Sequence, residues 1–354
     1  MKGLVTAVAA VTVAAVVLGA TIAARRGPED QGLSAPPAPL SPGPTKITLS
    51  VPGLAQGDSP RIPYLVGREV RGGGDPVTVP GNEDIYEFTR VGGAVLAVTT
   101  TDVDGSRVRR INADGDAVVP GADHLVANED HSAAAYAAYQ GGTSPTEGGL
   151  VFADSGTALQ SLKLSKGWNF RVLAYAGGKV YYQSSDVLGS GATWSTYAWT
   201  PGQPSAVLAP TIPSLTALTA DGKTAASTLV TNDAGSCSAI SSVDTGQRAW
   251  KTCDYGLTAF TPNGSTVFGA PTNSQSSCVS ATAALDASSG KLLHEWRGCV
   301  LGSAPEGDDH LLMVAAVSGA DTTRPTAAIV RCTIIIGACE LAAPSTRDHL
   351  LLSS

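Results

Sequence analysis

Six cysteines and five histidines carry most of the reactive side-chain chemistry of this 354-residue chain. Cys237, Cys253, Cys278, Cys299, Cys332 and Cys339 all fall in its last third. No two of them form a Cys-x-x-Cys pair, and no histidine stands at ligand spacing among them, which disfavours a zinc cluster. A reactive thiol pair normally sits at the start of a helix, and no such helix is legible here. Disulfide formation in an oxidising compartment is the chemistry left to them. Spacing alone allows fifteen pairings of six cysteines.

The histidines are His124, His131, His294, His310 and His349. The densest polar group is Asn128-Glu129-Asp130-His131, read as a solvated turn. Asp102-Val103-Asp104-Gly105 and Asn112-Ala113-Asp114-Gly115-Asp116 look like fragments of calcium loops. Neither supplies the six to eight spaced oxygens that calcium needs, and hairpin turns use the same residues for backbone reasons. Asp104, Glu129, Asp130 and His131 are therefore candidate contacts on one rim of the fold. There is no Gly-x-Ser-x-Gly elbow, phosphate loop, dinucleotide fingerprint or His-Glu-x-x-His. No catalytic, cofactor-binding or metal residue is assigned, and no cofactor is expected. Asn263-Gly264-Ser265 fits a glycosylation acceptor formally, but Asn-Gly reads better as a turn.

Those residues must be positioned by many short elements. The chain has 40 Gly, 22 Pro and only 15% charged residues, with a net charge of -7. No basic patch is present, which argues against nucleic acid as a partner. At the N-terminus an apolar run from Leu4 to Ala24 ends at Arg25-Arg26. Twenty-one helical residues would span roughly 30 Å of hydrocarbon. Residues 1–26 are thus expected to be a transmembrane anchor, with a cleaved signal peptide as the alternative. Residues 27–60, rich in proline around Ala35–Pro44, read as a tether. The expected location is the cell membrane, single-pass, with the 61–354 body extracytoplasmic, or secreted if the segment is cleaved.

From Ile62 onward short apolar or alternating runs are bounded by Gly, Pro, Asn and Asp. A four-strand pattern recurs with starts near Ile85, His124, Phe170, Leu215, Leu257 and Leu301, at intervals of 39, 46, 45, 42 and 44 residues. That is the period of propeller blades. Leu215–Lys223 aligns with Leu257–Ser265, and Ser242–Trp250 with Ala284–Trp296. Each of the latter ends in a tryptophan placed to cover the seam to a neighbouring blade. Asp348–Leu352 looks like one inner strand, while Ile62–Pro80 supplies strands with no inner partner. The expected fold is all-β: a propeller of seven four-stranded blades, the closing blade shared by N- and C-terminal strands, preceded by one N-terminal transmembrane helix. Six blades with loose flanking strands, and a β-sandwich chain or another all-β fold, are the alternatives.

The repeat register favours three in-blade disulfides. The midpoint of Cys237 and Cys253 falls on the Asp244-Thr245-Gly246 turn. That of Cys278 and Cys299 falls between Ser288 and Ser289. Cys332 and Cys339 straddle Ile334–Gly337. Opposed positions on antiparallel strands lie within bonding range.

The run Asp286, Gly290, Lys291, Trp296, with its shorter counterpart Asp244-Thr245-Gly246-Gln247…Trp250, resembles the blade motif of quinoprotein-type repeats. In architecture the body resembles seven-bladed propellers of the WD40-like, TolB-like and quinoprotein-like classes. The whole chain is similar to uncharacterised membrane-anchored propellers of high-GC Gram-positive bacteria. The Gly-His…Trp-Asp signature of true WD40 repeats is missing, and so are the eighth blade and adjacent cysteines of quinone-dependent dehydrogenases. The expectation is a membrane-tethered, non-catalytic propeller binding a protein or small ligand at one rim. A quinoprotein-like or metal-dependent enzyme using the central channel, and an envelope sensor or assembly component, are the alternatives.

Overall fold

Runs such as Ala94–Thr101 and Ala134–Tyr139 are buried along nearly their whole length. A strand covered on both faces reads as a continuous apolar run, and stacked sheets impose that covering. The computed structural model describes residues 45–101, 105–139, 147–189, 192–232, 235–272, 278–317 and 325–353. These residues belong to the unit Pro42–Ser354.

The strands group into seven antiparallel units of four, in a propeller-like arrangement. Blade 1 combines Leu350–Leu352 with Tyr64–Val66, Glu69–Arg71 and Val77–Thr78. Blade 2 runs from Asp84–Val91 to Gly115–Pro120, and blade 3 from Ala122–Ala127 to Leu159–Leu164. Blade 4 runs from Trp168–Ala176 to Val207–Leu208, and blade 5 from Leu215–Leu218 to Arg248–Thr252. Blade 6 begins at Tyr255–Phe260 and ends on the first half of a 15-residue strand, Leu292–Glu306. The second half of that strand opens blade 7, which ends at Cys339–Thr346. Without a break, one strand is the outer edge of one blade and the inner strand of the next.

The ring closes through Leu350–Leu352, which pairs with Tyr64–Val66 in the register Leu351↔Leu65. The inner strands touch in a closed order, and Leu350–Leu352 contacts the inner strands of both neighbouring blades. Two chain ends in one sheet leave no inner edge unpaired.

Among the described residues the buried apolar side chains form seven clusters, one at each seam between blades. Phe88 and Leu65 meet between blades 1 and 2, for example, and Phe268 and Leu311 between blades 6 and 7. A single blade has no interior, so its hydrophobic burial depends on its neighbours. Three disulfides lie within blades: Cys237–Cys253, Cys278–Cys299 and Cys332–Cys339. Each joins the third and fourth strand regions of blade 5, 6 or 7.

Lys46–Thr48 adds a parallel strand to Glu295–Arg297 on the outer edge of blade 6. Val51 then enters the seam between blades 6 and 7. Arg331 of blade 7 holds the chain further on, donating to the carbonyls of Asp58 and Ser59 at 2.9 Å each. The Arg331 guanidinium also pairs with Glu306 and, at 2.9 Å, with Glu340. Glu306 accepts from the Arg61 backbone N–H at 2.5 Å.

The sequence-based expectation of one N-terminal transmembrane helix is corrected. Among the described residues no helix is long and apolar enough to cross a membrane, and the one helical element there is a 3-10 turn at Val51–Gly53. Residues 1–26, on which the expectation fell, lie outside the described residues. Attachment to the membrane through such a helix, and a single-pass membrane location, are corrected with it. Hydropathy records how a run of side chains partitions between water and hydrocarbon. It does not record whether those residues build a spanning helix.

Candidate functional site

The turns joining first and second strands gather at one end of the ring. In blade 3 this turn is Asn128–Ala133, and side chains build it. Asn128 Oδ1 accepts from the Ala133 N–H at 2.8 Å, and Asn128 Nδ2 donates to Ser132 Oγ at 2.9 Å. Asp130 Oδ1 accepts from the Ser132 N–H at 3.0 Å. His131 takes a left-handed backbone, φ 54°, which turns its ring inward. Its Nδ1 lies 3.1 Å from Thr89 Oγ1 of blade 2. Thr89 Oγ1 is in turn 2.9 Å from Ser353 Oγ, just past the closing strand of blade 1. One histidine therefore ties three blades where the ring closes.

The electrostatics follow from burial and crowding. Burial pushes the His131 imidazole below its ordinary value, against the smaller opposing pull of Asp130. Glu129 and Asp130 are exposed. Asp130 is held below the usual carboxylate range, chiefly by its hydrogen bond with Ser132. Glu129 is pushed up by desolvation and then by the charges of Asp308 and Asp130. Asp308 belongs to the corresponding turn of blade 7, so its field reaches Glu129 across the ring. Asp308 Oδ1 also accepts from the Asn263 N–H of blade 6 at 2.8 Å. Neither Glu129 nor Asp308 forms an ion pair among the described residues.

These groups do not assemble a nucleophile and base. The Thr89 hydroxyl is fully buried and His131 Nδ1 faces two hydroxyls, so the trio acts as a tie between blades. Among the described residues no group of three or more His, Cys, Asp or Glu is arranged to hold a metal ion. Asn112 Oδ1 accepts from the Asp114 N–H at 3.0 Å, and Asp116 pairs with Arg109, so that run caps a hairpin. A cavity of about 320 Å³ between blades 6 and 7 is lined by Thr258, Cys278, Thr282, Leu301 and Ser303 among others, without an ionisable group. It offers no acid–base chemistry.

Of the rim residues named from sequence, Glu129, Asp130 and His131 share one turn, while Asp104 lies outside the described residues. Sequence reading missed Thr89, Ser353 and Asp308, which come from three other blades. It also missed the seam arginines. Arg110 of blade 2 reaches the fully buried Asp154 of blade 3 at 2.7 Å. Pairing across seams leaves no spacing signal in the chain.

No family model matches this chain, and no curated protein matches it either. Solved structures similar to it include TolB from Acinetobacter baumannii, at 15% identity and a TM-score of 0.40, covering 69% of this chain and 68% of that one. The β-propeller domain of the Trilobed protease from Pyrococcus furiosus is similar at 11% identity and a TM-score of 0.47, covering 82% and 98%. An uncharacterised protein from Listeria monocytogenes is similar at 10% identity and a TM-score of 0.46, covering 75% and 86%. The likeness is one of general all-β, propeller-like architecture. The fold is that of a propeller-like all-β module suited to binding a ligand or protein.

Proposed function

We propose that this chain is a non-catalytic binding module whose protein partner docks on the rim carrying Glu129, Asp130 and Asp308. The observation that carries this reading is that Glu129 and Asp308, exposed on the turns of blades 3 and 7, feel one another's charge and have no ion-pair partner among the described residues. Keeping carboxylates close together without counter-ions is unfavourable, and a cationic partner surface relieves it. The turns beneath are fixed by their own hydrogen bonds, so the charged groups are presented on a stiff base. The likeness to quinoprotein-type repeats belongs to the same proposal. Asp286 Oδ1 caps the N–H groups of Ser288 and Ser289, and Trp296 fills a seam, so the motif serves architecture.

The test is affinity capture from native extract with the full-length chain and its E129Q/D130N/D308N variant side by side. A partner retained by the first, lost from the second and released by moderate salt supports the rim. Identical retained sets from both proteins would remove the rim from the reading.

A further inference from the structure

Blade 4 ends in an outer strand of only two residues, Val207–Leu208, paired as Ala198↔Val207 and Tyr197↔Leu208. Val207 is 70% exposed and Leu208 51%. Sheet edges are normally blunted by charged side chains, by proline or a very short strand, or by a covering segment. On blade 6 the covering segment is Lys46–Thr48. Blade 4 has no charged guard: from Val187 to Ala220 the chain contains no Asp, Glu, Lys or Arg. Pro204 and Pro210 bracket the strand and limit the open stretch to Ser205–Ala209. The Ala209 N–H is already used, donating to the Thr196 carbonyl at 2.8 Å. The room is for a short segment.

Beside this edge runs a groove of about 310 Å³ between blades 3 and 4. Its blade 4 side includes Tyr197 and Ala206, and its other side carries Lys163 and Lys166. Both lysines are exposed, and neither forms an ion pair among the described residues. On a chain of net charge -7, two cations without an ion pair among the described residues, beside an uncharged apolar edge, form a local reversal of sign.

We infer that the outer edge of blade 4 takes a short extended segment of a partner protein with alternating apolar and acidic side chains. The segment's main chain adds a fifth strand beside Val207–Leu208, as Lys46–Thr48 does on blade 6. Its apolar side chains lie on the Val207 face, and its carboxylates, on the Leu208 and Tyr197 face that borders the groove, reach Lys163 and Lys166. A second copy of this chain docked edge to edge would set the same lysines against each other. Charge therefore selects a different, acidic chain. This site is separate from the rim.

Fluorescence anisotropy with the full-length protein tests it, using labelled (Val-Glu)4 and (Val-Lys)4 peptides at low salt. The expected result is binding of the acidic peptide, with the basic one at least about tenfold weaker. Two matched hydrogen-bonded charge contacts are worth about that much or more. K163E/K166E weakens the acidic peptide by a similar factor, L208P, which removes the outward-facing N–H and leaves the pairing with Ala198 intact, weakens it with little change in melting temperature, and E129Q/D130N/D308N leaves it unaffected. Equal binding of the two peptides, or undiminished binding by K163E/K166E, overturns the inference. So does a concentration-dependent dimer in sedimentation that L208P abolishes, because the edge would then belong to a second copy.

Discussion

The indole N–H of Trp296, on the outer strand of blade 6, donates to the carbonyl oxygen of Gly337 in a turn of blade 7 at 3.0 Å. One blade earlier, Trp250 donates to the Ala287 carbonyl of blade 6 at 2.7 Å. In both cases an outer-strand tryptophan lies beneath the hairpin that joins strands three and four of the following blade. Its ring fills the seam while its nitrogen satisfies a carbonyl that the turn would otherwise leave unpaired.

Truncating these rings should therefore loosen seams. Trp296 is fully buried, and Trp296→Ala is expected to lower unfolding stability by about 3–5 kcal/mol. Trp296→Phe keeps most of the apolar area, so its loss is smaller and includes the orphaned carbonyl, about 1–3 kcal/mol. Urea unfolding of the two variants measures the order. Equal losses would mean that the indole hydrogen bond, and not the packing, dominates.

Gly290 turns the chain above Trp250 with φ +74°. A Cβ there would stand 2.8 Å from the Trp250 ring. Gly290→Ala meets both a left-handed backbone and a clash, so a loss of at least about 1–2 kcal/mol is expected. A thermal melt reads it, and an unchanged midpoint would show that the turn relaxes freely.

The three disulfides close loops of different length, with separations of 7, 16 and 21 residues. Loop-closure entropy predicts that paired Cys→Ala replacement costs about 2 kcal/mol for Cys332–Cys339 and about 3 kcal/mol for each of the other two. Chemical denaturation of the three double variants tests that ranking. The Cys332 pair proving the costliest would contradict it.

Arg331 and Glu306 form a buried pair, with both side chains under 5% exposed. Glu306 holds the Arg331 guanidinium above its ordinary value through their hydrogen bond, so the arginine stays charged. Arg331→Met strands the Glu306 carboxylate and releases the Asp58 and Ser59 carbonyls, with an expected loss of about 3–5 kcal/mol. Glu306→Gln in that background should recover part of it. Absence of recovery would place the effect in the carbonyl contacts.

The His131 tie predicts a pH dependence. Its folded value lies below its unfolded one, so the unfolded chain binds more protons. The stability it contributes is fully present above about pH 6.5 and is lost as pH falls through the lower folded value. His131→Asn keeps a residue that tolerates a left-handed backbone. The melting-temperature drop between pH 7 and pH 5 should be smaller in that variant. An identical drop would assign the acid sensitivity to the carboxylates.

Much of this fold was legible because local signals agree. Asp-Gly and Asn-Gly turns, short apolar runs and a regular interval all specify four-stranded units. The inner strands beginning at Asp84, Ala122, Trp168, Leu215 and Tyr255 fall within two residues of the starts read from the repeat. Cys332 and Cys339 stand directly opposed in register, which follows from a hairpin whose turn the sequence marks. The rim was legible only in part. Glu129, Asp130 and His131 are consecutive, whereas Thr89, Ser353 and Asp308 reach the same end of the ring from positions 42, 222 and 177 residues away from His131.

By itself the sequence determined the repeat and its turns and favoured the pairing of its cysteines, because each depends on residues close in the chain. Only the tertiary structure decided what the blades do for one another. Arg110 finding Asp154, Arg331 gripping Asp58 and Ser59, Leu292–Glu306 serving two blades, and Lys46–Thr48 covering an edge are relations across seams. They arise from ring closure, which brings together surfaces that no local pattern connects.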